Sequence, residues 1–306
     1  MRQARRVTSL TICLVVALTA AIGSVPARSH TGNLIYPLYE LPTGDLPDLQ
    51  DQTIADWENV LPNASLTHND FVRSSGDEAI DPENLAWRVF LAWHHASQRI
   101  YMAVERLDDD YWPRAEGGAG EPSYLYIDGD HSGGRFRGFD PELPENELKR
   151  LESSRAQMYT MNSEPTPTSN DLIWVGGPAK DWASRPPWTD AGGFEFGETP
   201  NISGVEVAAT AWDDLHWQGP ALSTRSSLQP GAIIGFMVDI WDIDRDDRYL
   251  QMFSLSRVSR HTTPVSTTAE DFVDGELIPC YTSDCSSKRR SAVAVDSWGR
   301  IKAGIR

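Results

Sequence analysis

Two antiparallel β-sheets packed face to face, a β-sandwich of the jelly-roll or immunoglobulin-like kind with one inserted helix, is the mainly β architecture that the sequence predicts. Three observations predict it. Short stretches rich in β-branched and aromatic residues recur along the chain, loops loaded with Gly, Pro, Trp and Asp separate them, and only one stretch has helical spacing. Strands do not alternate with helices, which argues against a doubly wound parallel sheet. With 306 residues, 40% of them hydrophobic, the chain has material for a sizeable core in one or two domains. Its 44 acidic against 27 basic residues give a formal charge of -17, which argues against nucleic acid as a partner. Nucleic-acid binders gain most of their affinity by neutralising phosphates with Lys and Arg.

Taken in chain order, residues 1–29 read as a secretory signal peptide. Arg2, Arg5 and Arg6 precede an uncharged apolar run over residues 7–23, and Ala27-Arg28-Ser29 offers small residues at the two positions a signal peptidase reads. A retained membrane anchor is the alternative, the run being near the lower length limit for a span. The expectation is a secreted or periplasmic protein with no membrane association after cleavage. Residues 30–48, broken by Pro37, Pro42, Gly44 and Pro47, read as an extended lead-in that reaches the domain rather than joining its core. A single domain is placed at residues 49–306.

Its opening strands are residues 86–93 (AWRVFLAW) and 99–107 (RIYMAVERL), the second alternating Ile100, Met102 and Val104 with Tyr101, Ala103 and Glu105. A third, residues 124–128 (YLYID), runs straight into the loop GDHSGG. Residues 141–158 supply the helix, because Leu143, Leu148 and Leu151 have helical spacing among good helix formers. Further strands are expected at residues 171–175, 194–196, 205–211, 233–240, 249–255 and 292–295. Once Cys13 leaves with the signal, Cys280 and Cys285 remain in a turn-rich stretch. An oxidised pair closing a small loop fits an exported protein; half of a zinc site is the competing reading, without a second pair to complete it.

Two acidic segments have metal-binding chemistry. Asp128, Asp130 and Ser132, followed by Gly133, match the opening of a calcium loop, where alternate oxygens turn inward and a Gly permits the bend. Phe139 stands where an EF-hand has its closing Glu, so ligands would have to come from elsewhere; a solvated hairpin turn is the alternative. Asp239, Asp242, Asp244, Asp246 and Asp247 form a second cluster, either a solvated loop or a cation site with Asp242 and Asp244 as its ligands.

The 11 tryptophans invite a stacking hypothesis, since flat indoles can cover the apolar face of a sugar ring while polar neighbours bind its hydroxyls. Trp87, Trp93 and Trp298 suit the core. Trp112, Trp182, Trp188 and Trp217 sit among Pro, Gly and charges and suit a partly exposed position. Enzyme signatures are weak: there is no H-E-x-x-H, no G-x-S-x-G and no phosphate-cradling Gly-rich loop, and pairs such as Asp108/Asp110 or Asp213/Asp214, which could serve as glycosidase carboxylates in the hydrolysis of O-glycosyl bonds, arise readily in so acidic a chain.

Several segments together resemble the family 9 carbohydrate-binding modules and the related DOMON-like β-sandwiches. They are residues 85–110 (LAWRVFLAWHHASQRIYMAVERLDDD), 124–134 (YLYIDGDHSGG), 204–215 (GVEVAATAWDDL), 231–244 (GAIIGFMVDIWDID) and 296–302 (DSWGRIK), with Asp56-Trp57 resembling the Trp that opens the family's domain. The resemblance implies a secreted, non-catalytic module that binds carbohydrate, often beside polysaccharide-degrading enzymes, with structural calcium in some members. Family members that grip glycan ends sandwich a sugar between two tryptophans. The first of those positions falls near residues 114–123, where this chain has no Trp and Trp112 is the nearest; near the second it has Tyr281. The residues expected to bind glycan are therefore Trp112 and Trp188 as stacking surfaces, with Arg114 and Arg135 as hydrogen-bond donors and the Asp128 loop holding the site in shape. Two other functions compete: a haem-binding redox domain with Met102 or Met158 and a His as axial ligands, and an accessory part of a glycoside hydrolase.

Overall fold

The computed structural model describes residues 35–61, 66–75, 80–110, 121–163, 173–197, 200–243, 250–256 and 266–279. Strands β1 to β5 are Ile35–Glu40, Leu66–Thr67, Val72–Ser75, Leu85–His94 and Arg99–Asp108. Strands β6 to β10 are Ser123–Asp128, Gln157–Met161, Ile173–Val175, Thr189–Phe196 and Asn201–Thr210. Strands β11 to β15 are Trp212–Asp214, Thr224–Arg225, Ile233–Ile243, Leu250–Ser254 and Val273–Ile278. Three short helices, α1 (Ala55–Val60), α2 (Glu145–Leu151) and α3 (Lys180–Ala183), lie between them.

The expected β-sandwich is present. In one layer β4 pairs antiparallel with β5 from Leu85 opposite Asp108 to His94 opposite Arg99, and β10 and β9 follow on the far side of β5. The other layer has the order β8-β7-β6-β13, and β13 carries β15 along its first half and β14 along its second. Strand β1 joins the layers, running parallel to β15 on one side and to β4 on the other.

Successive side chains of a strand point to opposite faces, so each layer has an inner and an outer set. Leu85, Trp87, Val89, Leu91 and Trp93 of β4, Ile100, Met102 and Val104 of β5, and Val205 and Val207 of β10 meet Leu125 and Ile127 of β6 and Ile234, Phe236, Val238 and Ile240 of β13 in one inner core. The outer faces are covered too. Phe90, Ala92, Tyr101, Ala103 and Ala208 lie beneath Leu49, Ile54, Trp57 and Leu61, while Tyr126, Met158 and Met237 lie beneath Phe136, Ala156 and Phe272. That is why β4 reads as an unbroken apolar run: both of its faces are out of water.

Three expectations need correction. Residues 35–41 are not a lead-in outside the core, because β1 pairs along its length and Leu38 and Leu41 are buried; Pro37 is accommodated in the parallel ladder between Tyr36 and Leu38. The helix expected over residues 141–158 is only α2. Ser153, with φ 62, breaks it, and residues 157–161 extend to pair with β6 as β7. Helices α1 and α3, too short to show periodicity, were not expected. The signal segment, the strand at residues 292–295, Trp298 and the Cys280/Cys285 pair lie outside the described residues. No helix among the described residues is long and apolar enough to cross a membrane.

Candidate functional site

The connection from β8 to β9 turns sharply at Gly177, whose φ of 92 favours glycine, and is then tied down locally. The Ser184 hydroxyl accepts from the Val175 amide at 2.8 Å and the Thr189 hydroxyl donates to the Ala183 carbonyl at 2.7 Å. These bonds hold α3 against the sandwich end, so that Trp182 and Trp188 converge on Trp212 from β11. Trp212 is buried and is the hub: the Trp182 ring stands edge-on to it at 5.3 Å and the Trp188 ring lies tilted at 5.2 Å. Trp182 and Trp188 themselves meet at 6.0 Å with their planes at 89°.

A fourth tryptophan is tied to this shelf through its main chain. The Trp182 Nε1 donates to the Trp217 carbonyl at 3.2 Å, and the Trp217 ring lies nearly parallel to His216. Trp182, Trp188 and Trp217 are each half-buried, anchored on one side and open on another. Charged groups border them. The Arg225 guanidinium stands 5.7 Å from the centre of Trp188, the Lys149 ammonium 5.2 Å from Trp217, and Arg150 donates to Asp214 at 2.6 Å. Rigid indole edges fringed by donors and acceptors can receive a ligand that is apolar on one face and hydroxylated at its rim.

Of the residues expected to bind glycan, Trp188 belongs to this shelf, whereas Trp112 and Arg114 lie outside the described residues. Arg135 is exposed but turned onto its own loop, donating to the carbonyls of Arg137 and Gly138 with its guanidinium 5.7 Å from Phe139. Of the two grouped in sequence with Trp188 by their polar surroundings, Trp182 joins it in ring contact and Trp217 is tied to Trp182 through its carbonyl. The expected core residues Trp87 and Trp93 are indeed fully buried.

The Asp128 loop closes on itself. The buried Asp128 carboxylate accepts from the amides of Gly133 at 2.8 Å and Ser132 at 3.3 Å, and Asp130 accepts from Ser132 at 3.1 Å. Neighbouring Asp128 and burial raise the Asp130 pKa, burial being the larger cause, while the Ser132 hydroxyl and amide lower it. The β6–β13 register puts Asp128 opposite Gly235, so Asp242, seven residues further along β13, is at the other end of the sandwich. There it lies in a group of buried carboxylates with Asp108 and Glu121. Arg106 enters the same group, donating to the carboxylates of Asp108 and Glu121 and to the carbonyls of Glu121 at 2.7 Å and Trp241 at 2.8 Å. The two acidic segments are thus separate features; Asp244 lies outside the described residues. Of the two methionines considered as haem ligands, Met102 packs in the inner core and the Met158 sulfur accepts from Arg137.

No protein-family model matches the sequence, and no curated protein does. Among solved structures the chain is similar to a family 9 carbohydrate-binding module from Caldicellulosiruptor kristjanssonii in complex with glucose, at 12% identity and a TM-score of 0.47, over 80% of this chain and 96% of the other. It is also similar to such a module from the same organism in complex with cellotriose, at 12% identity and a TM-score of 0.43, over 84% of this chain and 97% of the other.

Proposed function

We propose that the chain is an exported, non-catalytic carbohydrate-binding domain that receives a neutral glycan on the shelf formed by Trp182, Trp188 and Trp217. The observation that supports this reading is that two half-buried indoles, Trp182 and Trp188, are gathered round the buried Trp212 at one end of the sandwich, with half-buried Trp217 tied to Trp182 through its carbonyl. Indoles held by a rigid hub lose little freedom on binding, so stacking on a sugar ring is not offset by ordering. Arg225 and Lys149, already poised over indole rings, supply donors to hydroxyls, and Asp214 an acceptor. The basic start and apolar run of residues 1–29 favour export, and the acidic surface suits an uncharged ligand better than a polyanion.

Glycan arrays and pull-down on insoluble polysaccharide test the reading. Binding is expected, and Trp188→Ala and Trp217→Ala are each expected to weaken it about tenfold or more, the 1.4 kcal/mol or greater typical of an aromatic anchor. Retention of full affinity by both variants, or no binding to any neutral glycan, removes the shelf as the site.

A further inference from the structure

We infer that residues 137–152, which include α2, are a hinged lid over the Trp217 end of the shelf, latched by the Arg150–Asp214 ion pair and bringing Lys149 onto a bound glycan; the inference rests on the shelf being the glycan site. The segment leaves and rejoins the body at one point. Its flanks, Phe136 and Ser153, are both fully buried, and the Ser153 amide donates to the Phe136 carbonyl at 2.8 Å. The Phe136 amide donates to the Thr267 carbonyl at 3.1 Å and the Ser153 hydroxyl to the Gly176 carbonyl, so this root is fixed to the sandwich. Between the flanks every residue is exposed or half-buried. A surface excursion with its ends pinned together is an Ω-loop, a form that often carries function.

Little holds this excursion down. From Asp140 to Leu151 the hydrogen bonds stay within the segment or reach its neighbours Glu152 and Ser154, with one exception among the described residues. Arg150 donates to Asp214, and the two side chains are 41% and 37% exposed. The other outward link is the Lys149 ammonium, paired within α2 to Glu145 and standing 5.2 Å from the centre of the Trp217 ring. An ion pair so open to water is worth little, and so is a half-exposed cation over an indole. A small free energy therefore separates the closed lid from an open one.

Both links land on the shelf and neither on the root. Asp214 shares β11 with the hub Trp212, and the Trp217 carbonyl accepts from Trp182. The root side is held separately, Arg137 donating to the Met158 sulfur at 2.6 Å. The chain turns through positive φ at each end, 66 at Gly138 and 62 at Ser153, so the segment between can pivot about a fixed base while its far side rests on the rim. Closure sets an ammonium with three donors over whatever sugar lies along Trp217. A glycan that accepts from Lys149 favours the closed state, and by linkage the closed state holds the glycan.

Binding kinetics with neutral oligosaccharides of glucose, xylose, mannose and galactose, together with NMR of the Trp217 indole and the α2 amides, test the lid on the full chain, Arg150→Ala and Arg150→Lys. Arg150→Ala should raise koff about threefold or more with kon no lower, and Arg150→Lys should restore most of the parental koff. Without sugar, Arg150→Ala should shift the Trp217 indole and α2 resonances in the direction that added salt shifts them in the parent, and leave those of β7 in place. An unchanged koff, parental resonances indifferent to salt, or shifts that spread into β7 overturn the lid and make the loop part of the packed body. A parent that binds none of these sugars removes the shelf reading and the lid's role together, whereas a parent that binds them while Arg150→Ala matches it removes the lid alone.

Discussion

Arg106 continues the stripe of Ile100, Met102 and Val104 on β5, so strand parity turns a guanidinium inward where the three residues before it on that face are apolar. It is fully buried, and the carboxylates and carbonyls around it make that tolerable by meeting its donors at the end of the sandwich. Removing the cation strands Asp108 and Glu121 as buried, uncompensated charges. Arg106→Ala is therefore expected to destabilise the fold by about 3–5 kcal/mol, readable as a drop in the urea midpoint. A loss below about 1 kcal/mol would mean that water enters and solvates the carboxylates. The alternation of β5 gave Arg106 its direction, but its partners come from β5 itself, from the residues before β6 and from β13, and no local pattern couples them.

At the scale of elements, the covering segment with α1 illustrates how a strand's outer face becomes interior. Trp57 is fully buried against Phe90, and the segment reaches its place by crossing β9 at Gly192. A Cβ added there would meet the Leu49 carbonyl oxygen at 1.5 Å, so the two backbones approach as only a glycine permits. The obstruction is backbone and cannot rotate away. Gly192→Ala should push the cover off, costing about 1–3 kcal/mol and exposing residues 41–61 to protease ahead of the sandwich. Equal proteolysis of variant and parent would show that the cover shifts without detaching. The same scale explains the shortened helix: residues 157–161 have acceptable helix formers, yet β6 offers them a full antiparallel ladder, and burial on both faces outweighs propensity.

Stability belongs to the whole molecule, and two histidines tie it to pH. Burial lowers the pKa of His68 against an opposing pull from Asp70, and it lowers that of His94 against Glu40 and with His95. Folded His68 and His94 therefore hold fewer protons than in the unfolded chain just below the ordinary value of about 6.5, and stability falls as pH drops through that value. Glu206, raised to about 8, has the opposite slope, since the folded form holds its proton longer and loses stability as pH climbs above the ordinary glutamate range. Comparing Tm against pH for the parent and a His68→Gln/His94→Gln variant cancels the glutamate contribution. The parent should lose more Tm than the variant between about pH 7 and pH 5; parallel profiles would show that neither imidazole is kept neutral by the fold.

The sequence by itself determined the class of fold and most of its strands, because a period of two and Gly/Pro punctuation are local properties that survive in any sheet. It also determined that Trp87 and Trp93, embedded in an apolar run, would be core. Only the tertiary structure decided that residues 35–41 join two layers, that Trp182 and Trp188 gather on Trp212 with Trp217 tied to Trp182, and that Glu206 meets Asp51 and Asp56. Each of these depends on which outer face a remote segment covers. Burial and proximity are set by that packing, and it leaves no period in the chain to read.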